Sequence, residues 1–563
     1  MRGACPGLLP LFFSATLLAA PGDHEADFDP GTRLSAGLSA AVPDANGLLM
    51  VGGAFASVNG SGRYLARFNN DGSVDAGFQQ GLLLSGEVTA LATLPDGDVL
   101  VGGNFTNSGG NDYFCRFNPD GTLDGGFNPG TLLNARVESI AVQPDGKILL
   151  GGPFTNANGN NRLCRLEANG SIDTTFNPGT ALNGTVRSIA LQADGAVVVC
   201  GQFNNANGAG HDRICRFLST GAFDTSFAPG GLLVGVAQVV VVQPDGKILV
   251  GGNFTGVSSG NPDDYVCRLN EDGTHDASFD PGNLLAGSQA AVFGMCLQAD
   301  GKIIVSGGFD NAGGDDDFVC RLLSTGAHDS TFNPTNTLTG FCDGATLLSS
   351  GKVICTGSFF SAPFGTGDDN FMCRLDNDAA TSALSATSGS RLQWMRGGST
   401  PETEWVEFEL STDGGATYTT LGEGSRITSG WELTGLNLPA AGKLRASARI
   451  RGGIYAGSSG LAVETVDFAR TNRPIVTISG AKTIKTKASK VLIRGTASDP
   501  DGDLQSVQFI DTRPRGKRFR TTTGLGTWSA KAVLKKGRNV IQVKAIDAGG
   551  IASEIQKITV IRK

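Results

Sequence analysis

Residues 243–255 read QPDGKILVGGNFT, and the chain writes this phrase repeatedly. Close copies begin at Leu94, Gln143, Gln192 and Gln298, and looser ones contain Pro43 and Gly351. Three anchors recur in fixed order. The first is an apolar run that follows a DG-type turn and ends in G-x-F, at Phe55, Phe105, Phe154, Phe203, Phe254, Phe309 and Phe359. The second is an arginine between apolar neighbours: Arg67, Arg116, Arg165, Arg216, Arg268, Arg321 and Arg374. The third is the phenylalanine of D-x-x-F at Phe78, Phe127, Phe176, Phe227, Phe279 and Phe332, with ADFDPG at Phe28 taken as its first occurrence. These phenylalanines are spaced by 50, 49, 49, 51, 52 and 53 residues, a period that signals a repeat architecture.

Each repeat resolves into four short β runs, in the third copy RVESIAVQ, KILLGGPFT, RLCRLE and SIDTTF. They are rich in Val, Ile, Leu and Phe and bounded by turn residues. In PDG, proline presets φ and glycine takes the positive φ. Glycine is accordingly abundant, 82 of 563 residues, while 40% hydrophobic content excludes a disordered chain. Seven units of four strands predict an all-β chain whose residues 23–377 form a seven-bladed β-propeller. A solenoid is the alternative, but nothing looks like a terminal cap.

The pattern PDGKILVGG followed by CRLNxDGSLDTSFNPG resembles the delta-60 repeat, a bacterial β-propeller family. The resemblance spans roughly residues 24–377. It implies a propeller in an exported, often multidomain protein, and no established activity. The seventh copy departs from it: SSG replaces PDG, and no D-x-x-F follows Arg374.

Residues 1–22 have the pattern of a signal peptide, one Arg before an apolar run ending in small residues. No later stretch is long and apolar enough to span a bilayer as a helix. The expectation is a secreted or cell-surface protein. Sequons such as Asn104-Phe-Thr matter only in a glycosylating host.

Two β-sandwiches are expected downstream. Residues 378–470 hold three of the four tryptophans and look fibronectin type III-like. Within them, Ser411, Asp413, Gly415, Thr417 and Tyr418 match an Asp box, a motif that is structural in the families carrying it. Residues 471–563 resemble bacterial immunoglobulin-like or cadherin-like domains. Asp499, Asp501, Asp503 and Asp547 offer hard oxygen ligands for Ca²⁺, or two ordinary Asp-rich turns; no other cofactor is expected. Charge divides along the chain. Residues 472–563 carry 19 Lys and Arg against 6 Asp and Glu, a net of +13, leaving −21 for the rest.

Signals for chemistry are weak. No H-E-x-x-H, G-x-S-x-G or P-loop pattern occurs. Of four histidines, His275 and His328 fill a slot held by Val74, Leu123, Ile172 and Phe223 in other repeats, a packing position. Cys115, Cys164, Cys215, Cys267, Cys320 and Cys373 are equivalent positions in neighbouring blades. Packed sheets lie ~10 Å apart, too far for a disulfide, so these cysteines are expected as buried small hydrophobes. Whether Cys296 and Cys342 pair is open.

Two surfaces are binding candidates. The longer second loops carry Asp112, Asp212, Asp263, Asp264, Asp315, Asp316, Asp317, Asp368 and Asp369 on one rim, an acidic ring for cations or basic partners, or simply solvated loops. In the last domain, Arg513, Arg515, Lys517, Arg518 and Arg520 form a patch for anionic envelope polymers, for the acidic propeller, or for water alone. Nucleic acid is not an expected partner, since no stacking aromatics interleave the basic residues.

Pairing Phe117 with Leu123 across a hairpin places Arg116 opposite Asp124. The same offset predicts ion pairs Arg67–Asp75, Arg165–Asp173, Arg216–Asp224, Arg268–Asp276 and Arg321–Asp329. Arg374 and Asp27 are left over, so the N-terminal strand is expected to complete blade seven through an Arg374–Asp27 pair; in the competing arrangement DAATSAL supplies that strand. The functional expectation is an exported, non-enzymatic binding, adhesion or structural protein acting on an extracellular glycan or protein. A carbohydrate-active lyase or hydrolase with its site at the propeller mouth is the alternative.

Overall fold

The computed structural model describes residues 20–563, except 26, 31–33, 59–63, 80–82, 108–109, 111, 156–158, 205, 207–211, 256–264, 283–284, 287–289, 312–317, 335–337, 339, 360–370, 470–472, 501–503, 512–517 and 549. All strands and no α-helix occur among these residues. The segment 1–19 lies outside them, and with it most of the expected leader.

Seven blades form a closed ring. Their first strands are Leu38–Pro43, Val88–Thr93, Ser139–Val142, Thr185–Leu191, Ala237–Val242, Val292–Leu297 and Phe341–Leu347. Each touches the next, and the seventh touches the first, so these strands are innermost and surround the channel. The second and third strands follow outward, as in the order Leu38–Pro43, Leu49–Gly53, Leu65–Phe68 of blade one. The apolar core lies between blades: Ala40, Val42 and Met50 of blade one pack with Val88, Leu91 and Val101 of blade two.

The repeated phrase now has a physical reading. Its DG turn places Gly146 at φ 80°, and Asp145 Oδ1 accepts the Lys147 N–H at 3.1 Å. In VGG, the first glycine faces the next blade: a Cβ on Gly102 or Gly151 would run into Val137 or Val186. The second lies under a carbonyl of its own blade's first strand region, that of Gly37 for Gly53 and of Val236 for Gly252. Side chains there would separate the sheets.

The expected fourth strand is reduced to a single bridge, such as Phe68 with Val74 or Phe117 with Leu123. The reason is local. Asp75 Oδ1 accepts the Gly77 N–H at 2.8 Å, and Phe78 N–H reaches the Asp75 carbonyl at 3.3 Å, so the chain turns instead of extending.

Residues 380–469 form a sandwich of two sheets. One runs Ala380–Ser388, Arg391–Gly398, Gly430–Thr434, Ser425–Ile427; the other runs Thr419–Glu423, Val406–Ser411, Ala441–Ile454, Ser458–Ala469. Trp394, Trp431, Phe408 and Leu444 fill the space between. Residues 475–562 build a second sandwich around Trp528, Phe509 and Val543.

Candidate functional site

The last two strands of the first sandwich are 14 and 12 residues long, about twice an ordinary strand. Up to Ala448 the longer one pairs with Val406–Ser411 inside the sandwich. Beyond that, residues 449–461 leave the sandwich and enter the propeller channel. Gly452–Ile454 pair antiparallel with Gly344–Thr346 of blade seven, and Ser459 lies opposite Ala92 of blade two. A continuous sheet therefore runs from blade seven through the hairpin to blade two. Ile140 of blade three donates its N–H to the Gly457 carbonyl at 2.8 Å, and Tyr455 N–H reaches the Phe293 carbonyl of blade six at 2.6 Å.

Innermost strands expose one unpaired backbone edge. The hairpin pairs with several of these edges, and its small residues permit the approach. A Cβ on Gly460 would meet Pro43, and one on Gly457 the Glu138 carbonyl. Arg449 is 1% exposed; it donates to the Thr93 carbonyl, and burial pulls its pKa down to about 10.

The tip lies at the level where the inner strands begin, and the equivalent position there is Ser39, Thr89, Glu138, Arg187, Gln238, Phe293 and Asp343 in the seven blades. In six blades the register slips at this point, a bulge that re-aims one side chain. Arg187 donates to Gln238 and, at 2.8 Å, to the Tyr455 hydroxyl, whose ring lies 4.9 Å from the guanidinium. Burial raises Asp343 to about 6 against the opposing hydrogen bonds from Ser358.

The sandwich seats on the tight-turn rim. Ala299 N–H donates to Thr400 O at 2.8 Å, Glu402 N–H to Leu297 O at 2.7 Å, and Asp378 pairs with Arg321 and Lys302 at 3.0 and 2.9 Å. Sequence reasoning placed function on the opposite, long-loop rim. Of the acids there, Asp112 and Asp212 are described; the other seven lie outside the described residues. Between the sandwich and the turns of blades three to five opens a cleft of about 730 Å³. Gln143, Gln192 and Gln243 form its propeller wall; Trp405, Trp431 and Arg426 belong to the sandwich wall, and Arg451 of the hairpin also borders it.

The expected ion-pair residues meet as follows. Arg67 and Asp75 stand 2.7 Å apart, Arg116 and Asp124 2.5 Å, Arg165 and Asp173 2.7 Å, Arg216 and Asp224 2.6 Å, Arg268 and Asp276 2.7 Å, Arg321 and Asp329 2.8 Å. Each guanidinium also covers the phenylalanine three residues beyond its aspartate, at 4.7–5.2 Å. Five of them reach across to a backbone carbonyl of the next blade, such as Arg67 to Pro119 at 2.9 Å and Arg268 to Ser324 at 2.8 Å. For Asp173, burial pushes the carboxyl up, but hydrogen bonds from Lys147, Thr175 and Arg165 outweigh it and hold the group below the usual range.

Arg374 corrects the expectation. Its partner is Glu25 at 2.5 Å, and Asp27 is exposed. Phe28 minus three is Glu25, so Glu25 holds the slot of Asp75, and His24 bridges Leu375 as Val74 bridges Phe68. Arg374 covers Phe28 at 4.5 Å and donates to the Asn70 carbonyl of blade one at 2.7 Å. The N-terminal segment therefore completes blade seven, while Ala380–Ser388, which contains most of DAATSAL, pairs inside the sandwich. Pro21 and Gly22, read as leader, sit in this closing turn: Pro21 O accepts Asn333 N–H at 3.0 Å, and Gly22 N–H donates to Asp376 O at 2.8 Å.

Of the calcium candidates, Asp501 and Asp503 lie outside the described residues. Asp547 is fully buried and accepts the Ile551 N–H at 2.8 Å, as a turn carboxylate does. Arg513, Arg515 and Lys517 are also outside; Arg520 pairs with Asp511 at 2.8 Å, leaving Arg518 as the other described member of the patch. In the Asp box, Asp413 accepts from Ser411 and Thr417 at 2.7 and 2.6 Å, a closed turn. All ten described cysteines are buried and outside any disulfide, Cys296 and Cys342 included.

The channel column was missed by sequence reasoning. Its signal was present: within an otherwise apolar strand, one position carries seven different residues in seven copies.

A search of curated proteins finds no match. Among solved structures, the extracellular domain of the putative hybrid two-component system BT3049 from B. thetaiotaomicron is 10% identical, covering 93% of this chain and 84% of that one at a TM-score of 0.27. The extracellular domain of BT4673 from the same organism is 10% identical over 96% and 99%, TM-score 0.25. Fibronectin(III)-like modules of Clostridium thermocellum CbhA are 18% identical over 32% and 94%, TM-score 0.16. Residues 45–78, 94–127, 143–176, 192–227, 243–279 and 298–332 match the model of a β-propeller domain of unknown function, DUF5122. The repeats of six of the seven blades are thus similar to those of the DUF5122 β-propeller family.

Proposed function

We propose that the chain is an exported, non-enzymatic binding or adhesion protein, a propeller joined to a fibronectin type III-like and an immunoglobulin-like domain. One observation carries this reading: the channel, the main concavity of a propeller, is occupied by the chain's own hairpin. The arrangement joins propeller and first sandwich into one body and leaves the cleft between them as the place for a ligand. The basic last domain serves to hold anionic envelope polymers, since its net charge of +13 favours polyanions. The test is a glycan array and a hydrolase and lyase screen on the secreted protein. Binding without turnover is expected; turnover abolished by one substitution at the channel mouth overturns the reading.

A further inference from the structure

The cleft beside the hairpin has a chemistry of its own. At about 730 Å³ it falls within the roughly 300–1,000 Å³ typical of small-molecule sites. Its charge is one-sided. Asp194, Asp245, Glu271, Glu402, Glu404 and Glu423 border it against two cations, Arg426 and Arg451, a net of −4. Both cations are engaged: Arg426 with Glu402 at 2.9 Å and Arg451 with Glu404 at 2.7 Å. An anionic ligand would meet the repulsion of this net negative charge.

The propeller wall repeats one group. Gln143, Gln192 and Gln243 occupy the same place in blades three, four and five, so three carboxamides line up along the turns. Gln143 and Gln192 each accept from the arginine of their own blade, at 3.4 and 3.3 Å. Gln243 is 8% exposed and its Oε1 finds no hydrogen-bond partner; Arg451 is 9% exposed and its Nη2 finds none. Unmatched buried polar groups are costly and need a reason. Here one acceptor and one donor without partners belong to residues of the same cleft, which also has two indoles, Trp405 and Trp431, in its wall.

Uncharged carboxamides and indole surface suit a neutral polyhydroxylated ligand, and the arginine-paired carboxylates Glu402 and Glu404 add acceptors beside them. Its hydroxyls both donate and accept, and its C–H faces pack on aromatic rings. We propose that this cleft binds a short neutral glycan, with Gln243 and Arg451 as its hydrogen-bonding residues and Trp405 as its packing surface. The inference rests on the binding reading above and names the ligand class of that site.

The test uses the secreted full chain and its intrinsic tryptophan fluorescence. It is titrated with neutral tri- to pentasaccharides, with uronic-acid-bearing oligosaccharides of the same length, and with a Lys/Arg-rich decapeptide. The neutral series is expected to shift the fluorescence saturably, and the acidic series to bind at least about tenfold more weakly. Gln243→Ala removes a side-chain oxygen that has no partner in the fold, so melting should stay unchanged while affinity falls about five- to tenfold. Trp405→Phe should lower affinity and reduce the fluorescence change. No saturable neutral binding, binding indifferent to both variants, or preference for the peptide overturns the proposal. Polyanion binding by the last domain would survive any of these results, so failure here is distinguishable from failure of the binding reading.

Discussion

The arginine–carboxylate contact at the outer hairpin and the side chain at the channel bulge each occur once per blade. The outer contact is written with nearly the same letters seven times: Arg with Asp in six blades, Arg with Glu in one. The bulge is written with seven different letters, Ser39 through Asp343. The difference follows from what each touches. The outer group meets the next blade, and every blade has the same neighbour, so one solution serves seven times. The hairpin has no sevenfold symmetry, and it approaches the bulge differently in different blades: through the Arg187 side chain in blade four, the Phe293 carbonyl in blade six and the Glu138 carbonyl in blade three. Repetition thus builds the wall, and departure from repetition marks where something asymmetric is held.

The largest expected effect would break the comparison at its centre. Replacing residues 449–461 by a two-residue Asn-Gly turn keeps the sandwich pairing of Val406 with Ala448 and removes the insertion. The inner edges then lose their partners. The propeller is expected to lose about 5 kcal/mol or more, the range of gross lesions. Calorimetry should show propeller and sandwich melting separately. A single unchanged transition would mean that the hairpin contributes nothing to the ring.

Within the outer set, burial should grade the cost. The Arg321 side chain is 0% exposed and that of Arg116 20%. Arg321→Ala leaves the buried Asp329 with Lys302 as its remaining cation, at 2.9 Å, and should cost about 3 kcal/mol, the low end for a broken buried pair. Arg116→Ala should cost about 1 kcal/mol, nearer an exposed pair. Equal losses in denaturant titrations would show that the repeated contact is not graded by its surroundings.

Ring closure gives a smaller effect with a sharper contrast. Glu25→Ala should cost about 2 kcal/mol, because it leaves Arg374 and Lys352 without their shared carboxylate. Asp27→Ala should lie within about 0.5 kcal/mol of zero. The reverse ranking would restore Asp27 as the closing residue.

This closure shows what the sequence made legible. The offset that pairs Arg116 with Asp124 held all the information needed, since applying it to Phe28 leads to Glu25. Asp27 carries the expected letter beside the phenylalanine, but the slot requires a carboxylate at the right offset, and a glutamate fills it. Periodicity exposes the blades because each repeats its own local contacts. The hairpin was not legible for the opposite reason: its pairing with Gly344–Thr346 and Ala92 joins segments about 110 and 370 residues apart in sequence, and no local pattern encodes it. Its only traces are arginines at 449 and 451 in an apolar strand and the small residues of IYAGSSG. The cleft, built from both bodies, was invisible for the same reason.

The smallest expected effect distinguishes the two regions by the sign of their pH dependence. Glu25 is pulled below its usual range: burial alone would raise it, and hydrogen bonds from Arg374 and Lys352 outweigh that. A depressed folded pKa stabilises the protein above the unfolded value of about 4 and ceases to do so as pH falls through the folded value. Asp343 behaves oppositely. Burial raises it to about 6, so between about pH 4 and pH 6 the folded form binds more protons than the unfolded one. Its contribution to stability therefore rises as pH falls through 6 and levels off near 4. Asp343→Asn removes the buried charge and keeps an oxygen for the Ser358 hydroxyl, which stands 3.3 Å from the carboxylate. It should stabilise the protein by about 1–2 kcal/mol at pH 7.5 and by about a third of that at pH 4.5. Melting curves of the two proteins at both pH values give the result directly. A destabilising Asn at pH 7.5 would mean that the channel mouth uses the charge of Asp343, and that this member of the column is chosen for something other than the fit of the hairpin.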